Sequence, residues 1–197
     1  MLSVADDRER TERDLAAGEL ACPDCRGELR PWGHARPRWL RTLHDRRRMR
    51  PRRACCRACG RTHVLLPGVM LDRRADAVEV IGQALIAAAD GEGHRSIAAR
   101  LGRPAATVRG WLRRFAARAQ QTAVHAVGVV YRHELAAVRV EPTDGVSPTR
   151  AALELLGWAV AAVELRMGRA RCRWQVVSAM CSSRLLANTS CPYPWLW

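Results

Sequence analysis

Two cysteine pairs specify chemistry most directly in this sequence. Cys22-Pro-Asp-Cys25 and Cys56-Arg-Ala-Cys59 each hold two thiols three positions apart, and thirty residues separate the pairs. A CxxC turn offers two thiolates to one side of a metal ion, and two such turns complete a tetrahedron. Cys22, Cys25, Cys56 and Cys59 are therefore expected to hold one Zn2+ in a zinc ribbon. Four thiolates leave no open coordination position, so the expected role is structural rather than catalytic. Cys55 is an alternative to Cys56, although the CxxC spacing favours Cys56. His34, His44 and His63 are substitutes in principle and read more simply as surface or hairpin residues. Gly27 and Gly60 follow the two pairs, where a tight turn calls for positive φ. A redox dithiol would need only one pair, and no thioredoxin-like βαβ pattern surrounds either.

The elements that must bring the pairs together are short. Glu28–Trp32 and Arg52–Cys55 read as strands, with Arg36–Arg50 as a long basic connection between them. A segment of about 50 residues with so few large aliphatics is marginal without a staple. Residues 1–20 read as a charged, mobile lead-in holding at most a turn or two of helix.

A second constellation lies at 93–118, GHRSIAARLGRPAATVRGWLRRFAAR. Ile97, Ala98 and Leu101 recur at helical spacing, Gly102-Arg103-Pro104 interrupts, and Val108, Trp111, Leu112 and Phe115 resume the pattern. Gly102 suits a left-handed helix end, and Pro104 suits a first helical position. With a preceding helix over Asp76–Ala89, these make a three-helix unit in which the last two form a helix-turn-helix. The face left by Ala105, Ala106, Thr107, Arg109, Gly110, Arg113 and Arg114 has small residues at its start and arginines beyond. Such a face lets backbone approach a DNA groove while guanidinium groups reach base edges or phosphates. Arg109 and Arg113 are assigned to base edges, Arg95 and Arg103 to phosphates. No acidic residue interrupts 95–118.

Charge supports this reading with one correction. The net charge is +14, but all 33 basic residues are arginine, as a GC-rich coding sequence would favour. Distribution is the better guide: residues 21–75 carry fifteen arginines against four acids. Arg46, Arg47, Arg48, Arg50, Arg52 and Arg53 form a run that either tracks phosphates or is simply solvated. An acidic partner such as double-stranded DNA follows from the distribution. The longest uncharged apolar run, Leu155–Val163, is far short of a membrane span, and the N-terminus lacks a signal-like apolar region. The expected location is cytoplasmic, where cysteines serve as metal ligands or thiols rather than disulfides.

Beyond Gln120 the sequence turns apolar. Ala123–Val140 is expected to be helical, with a strand over 127–131 as the alternative. Ser147-Pro148 opens a second helix whose stripe is Ala152, Leu155, Leu156, Ala159 and Val163, flanked by Glu154 and Glu164, and Gly168 closes it. A short helix over Trp174–Met180 and an irregular tail follow. The expected organisation is thus mainly α: lead-in 1–20, ribbon with a short β-hairpin 21–70, helix-turn-helix 71–120, helical region 121–183 and tail 184–197. The apolar stripes of 121–183 suggest a homodimer.

The motifs CPDC at 22–25, RRACCRACGRTHVLLP at 52–67 and HRSIAARLGRPAATVRGWLRRF at 94–115 resemble the N-terminal portion of bacterial insertion-sequence transposases. They are also similar to small actinobacterial helix-turn-helix proteins of that type. The resemblance implies DNA recognition. Full transposases also carry three carboxylates on an RNase-H-like domain, and the acids after Gln120 (Glu134, Glu141, Asp144, Glu154, Glu164) do not follow that strand-rich pattern. No catalytic centre is read. The expectation is a non-catalytic, sequence-specific DNA-binding protein, transposase-like or a transcriptional regulator. One alternative is the DNA-recognition subunit of a transposition system whose catalytic domain lies on another chain. Another is an RNA-binding or protein-interaction ribbon.

Overall fold

The computed structural model describes residues 1–133 and 141–187. Its N-terminal part is a four-stranded sheet of β1 (Leu2–Val4), β6 (Thr62–Pro67), β5 (Arg52–Cys56) and β2 (Leu29–His34), in that order. β1 runs parallel to β6, and the remaining pairs are antiparallel. The first twenty residues are therefore not a mobile lead-in. β1 adds to the sheet edge, and α1 (Arg8–Ala16) packs on β2 and buries Leu15. Asp7 starts that helix by accepting the Arg10 N–H at 3.0 Å, a local cap that a charge count does not register.

The basic connection between β2 and β5 also has structure. β3 (Arg38–Arg41) and β4 (Arg46–Met49) form a separate two-stranded hairpin with Trp39 opposite Arg48 and Leu40 opposite Arg47. Alternation explains it: Leu40 is fully buried while Trp39 is half exposed. The turn at Thr42–Asp45 is closed by Thr42 N–H donating to Asp45 O at 2.8 Å and by the Thr42 hydroxyl donating to the Asp45 carboxylate.

Six helices follow, making the chain mainly helical. α2 (Val78–Ala89), α3 (His94–Leu101) and α4 (Ala105–Ala116) pack mutually. α2 buries Val78, Val80, Ile81, Ala84 and Leu85, α3 buries Ile97 and Ala98, and α4 buries Val108, Trp111 and Phe115. Gly102 ends α3 in the left-handed region at φ 60. Pro104 stands one position earlier than expected: its ψ of 135 is extended, so it flanks α4 instead of opening it.

α5 (Ala119–Arg132) and α6 (Pro148–Met167) pair with each other, and α7 (Arg173–Met180) packs on α2 and α6. The helical reading of the 127–131 segment holds to Arg132; the expected remainder to Val140 includes 134–140, outside the described residues. Ser147 caps α6 by accepting the Arg150 N–H at 3.3 Å. The stripe of Ala152, Leu155, Leu156 and Ala159 is covered within the chain, joining α2, α4 and α5 in one core. Glu164, expected on a flank, is buried and paired with Arg173 at 3.0 Å. Leu185 and Leu186, read as irregular tail, are buried in the same core, and 188–197 lie outside the described residues. α7 reaches α2 through Trp174, which lies where a Cβ at Gly82 would come within 2.0 Å of its ring. Among the described residues no helix is long and apolar enough to cross a membrane.

Candidate metal centre and arginine-bearing helix face

The four expected cysteines converge. Their Sγ atoms all lie within 4.8 Å of one another, with Cys22 and Cys59 at 3.8 Å and Cys25 and Cys56 at 3.4 Å. A tetrahedron with metal–sulfur bonds of 2.3 Å has edges of about 3.8 Å, so these residues fit a four-coordinate metal ion. Cys55 is turned away from the cluster, its thiol donating to Gly60 O at 3.4 Å. Cys56 is thus the member of the adjacent pair that joins the cluster, as adjacent strand residues must point to opposite faces.

Two backbone turns of the same design present the thiols. In the first, Cys22 N–H donates to Gly27 O at 2.7 Å and Arg26 N–H to Cys22 O at 2.9 Å. In the second, Cys56 N–H donates to Arg61 O at 2.9 Å and Gly60 N–H to Cys56 O at 3.1 Å. The equivalent positions Arg26 and Gly60 carry positive φ, 65 and 71. Gly60 therefore serves as expected, whereas at the first turn the left-handed residue is Arg26. Gly27 is needed for space instead: a Cβ there would lie 2.8 Å from the Ala58 Cβ and 3.2 Å from the Cys56 sulfur.

Electrostatics agree with a cation at the centre. Backbone N–H donors, first that of Cys59, draw the Cys56 thiol down to about 7. The Gly27 N–H favours the Cys25 thiolate, but hydrogen bonding with Cys56 and Cys59 outweighs it and pushes Cys25 up to about 12. Four thiolates so close cannot all ionise until a cation offsets their repulsion. Around them, Arg61 donates to Asp24 at 3.0 Å, tying one turn to the other and lowering the Asp24 pKa. His63 is buried beside the cluster, with Nε2 3.3 Å from Cys22 Sγ. It lies where an imidazole N–H orients a metal-bound thiolate. Its position in the sequence does not set it apart from an ordinary surface or hairpin residue, because nothing in the spacing shows that β6 aims it at Cys22.

The second group of expected residues lies on α3 and α4. With Val108, Trp111 and Phe115 buried, helical geometry leaves Ala106, Arg109 and Arg113 exposed in one row. Ala105, Thr107 and Gly110 are half-buried beside it, and the half-buried Arg114 lies across Gly110, where a Cβ would come 2.8 Å from its Nη1. Arg95 is exposed in the first turn of α3.

Arg103 differs from the expectation of a phosphate contact. Its guanidinium is turned inward, donating to Asp76 at 2.6 Å, Thr42 O at 2.7 Å and Leu101 O at 2.9 Å. Asp76 is nearly fully buried and also receives Arg41 through both oxygens, at 3.0 and 2.6 Å. Backbone bonds reinforce the link, with Arg41 N–H donating to Ala75 O and Ala77 N–H to Arg41 O. The hairpin end, the start of α2 and the α3–α4 connection therefore share one carboxylate. A buried acid with two arginines remote in sequence leaves no spacing signal.

Glu154 is committed to Arg150 and the Thr143 N–H, and Glu164 to Arg173, so these two late acids serve local helix contacts. No curated protein and no solved structure matches the chain. Residues 22–115, from the first cluster cysteine to the last buried residue of α4, match the model of a family described as a domain of unknown function (DUF6431), to which just under half of the chain is therefore similar.

Proposed function

We propose that the protein is a non-catalytic, sequence-specific double-stranded DNA-binding protein, transposase-like or a transcriptional regulator. In this reading α3 and α4 act as a helix-turn-helix, and a Zn2+-bound ribbon braces them. The observation that carries it is the two-sidedness of α4. One side is spent on the core through Val108, Trp111 and Phe115, while Ala106, Arg109 and Arg113 stand exposed in a row with no acidic residue between 95 and 118. Small residues at the helix start and guanidinium groups one turn apart match what a major groove accepts. Zn2+ is the ion assigned to the cluster, because a closed tetrahedral set of four thiolates suits it and serves structure rather than catalysis. A homodimer would form through 121–183, where Trp158, Leu165 and Met167 remain exposed on α6; sedimentation at micromolar concentration, compared with a Trp158→Arg variant, reports it.

Selection of bound sequences from random duplex DNA tests the main reading. A defined consensus is expected, with Arg109→Ala costing about 1–3 kcal/mol and relaxing preference at one position. A pool that shows no enrichment, or enrichment that Arg109→Ala and Arg113→Ala leave unchanged, overturns it. Metal analysis is expected to return one Zn2+ per chain, and its loss with Cys56→Ser.

A further inference from the structure

The six-arginine run of 46–53 divides once its side chains are placed. Arg52 turns to Glu12 at 2.9 Å and Gly33 O at 2.8 Å, Arg53 donates to the Thr62 hydroxyl at 3.0 Å, and Arg47 approaches Asp45 at 3.6 Å. Arg46 and Arg48 form no ion pair among the described residues. Strand alternation puts them on the outer face of the β3–β4 hairpin together with Trp39, opposite to Leu40, which is sunk in the helical core. The Arg46 guanidinium stands 4.8 Å from the Trp39 ring centroid, and Trp39 is 51 % exposed. Two arginines and an open indole on one side of a two-stranded hairpin are what a sugar–phosphate backbone takes up, by charge and by apolar contact with sugar.

Position favours a duplex over an isolated strand. The hairpin's end is bonded to the connection between α3 and α4, through Arg103 to Thr42 O and through Asp76 to both Arg41 and Arg103. Thr42 lies three positions beyond Trp39 along the chain, a reach of about 10 Å. The outer face of the hairpin thus extends the surface that begins at the start of α4.

We propose that the β3–β4 hairpin is a second nucleic-acid contact, laying Trp39, Arg46 and Arg48 on the backbone of the same duplex whose groove α4 enters. The proposal rests on the DNA-binding reading above. It makes Arg46 and Arg48 phosphate contacts that add affinity without sequence choice, and leaves Arg47 and Arg52 as internal partners.

The test is the salt dependence of binding by the full, metal-loaded chain to its selected duplex. Each phosphate contact contributes about 0.9 to the slope of log affinity against log salt. The Arg46→Gln/Arg48→Gln double variant is expected to lose about 1.8 of that slope while selecting the same consensus. The Arg46→Lys/Arg48→Lys variant, which keeps both charges, is expected to restore it. Trp39→Ala should weaken binding several-fold with the slope unchanged. Wild-type protein that binds no duplex at low salt overturns the DNA reading itself. Wild-type binding with an unaltered slope in the glutamine variant overturns the hairpin proposal alone, as does a hairpin-dependent preference for single-stranded DNA or RNA over duplex. Unchanged metal content and melting temperature of the variants show that the comparison is between folded proteins.

Discussion

Six buried apolar residues hold the four-stranded sheet together, and two of them are the cluster's own Cys22 and Cys56. The helical body has twenty-nine, drawn from β3, β6 and all six helices from α2 to α7. The first region has too little apolar volume to order its backbone by burial alone, so its thiol cluster must supply what side chains do not. The second meets the same cost with packing. The two are joined at Asp76 and by the hairpin, whose strands belong in sequence to the ribbon but whose Leu40 belongs to the helical core.

Removing the metal gives the largest expected separation of the two regions. Structural Zn2+ sites contribute roughly 10–16 kcal/mol of apparent binding energy, at least as much as the burial of six side chains, three of them leucines, supplies. On chelation, amide hydrogen exchange should show β1, β2, β5 and β6 losing protection while α2–α7 and the hairpin stay protected. Loss of protection in α2–α4 at the same chelator concentration would mean the regions fold as one unit.

Next comes the link itself. Asp76→Ala strands Arg41 and Arg103 beside a buried void, and breaking a buried charge pair costs about 3–5 kcal/mol. The lower end is expected, because the Arg41 side chain is 42 % exposed. Denaturant unfolding should show the loss, and hydrogen exchange should place its local part at Thr42–Asp45 and the α3–α4 connection. An effect under about 1 kcal/mol would show the hairpin is held by Leu40 alone.

Acid should act on both regions by different routes. In the helical body, the His125 N–H donates to Met180 O at 3.0 Å, and burial lowers its pKa from the ordinary 6.5. The unfolded chain therefore binds the proton more readily. The stabilisation is full above pH 6.5 and declines as pH falls below it toward the lowered value. His125→Gln, which keeps a donor but does not titrate, should flatten the stability profile of α5 and α7 between pH 7 and 5. An unaltered profile would assign the loss to the metal side, where protons compete for the thiolates.

The smallest effect expected is at Arg26, the left-handed residue of the first cysteine turn. Arg26→Gly should stabilise the sheet by about 0.5–1 kcal/mol, since glycine takes positive φ without the Cβ clash. Gly60→Ala at the equivalent position should do the reverse. A thermal melt of the metal-loaded protein that moves the same way for both would show the two turns are not equivalent.

What the sequence determined by itself was local: that two cysteine turns form the cluster, with Cys56 favoured over Cys55 by its spacing, where α3 stops, that α6 is capped at Ser147 and closed at Gly168. Each depends on residues within a few positions, through turn spacing, left-handed φ or helical period, and these act wherever the chain goes. The row of Ala106, Arg109 and Arg113 was legible for the same reason, as the complement of a buried stripe. Tertiary structure alone decided the rest. β1 became a sheet strand because β6 had an open edge, not because LSV says so. The arginine connection became a hairpin because Leu40 found the helical core. Arg103 turned inward because Asp76, twenty-seven residues earlier, was buried with room for a second guanidinium. The stripe of α6 found its cover in α2, α4 and α5. Such partners are remote in sequence, and only the folded chain brings a charge or an apolar face to the group that satisfies it.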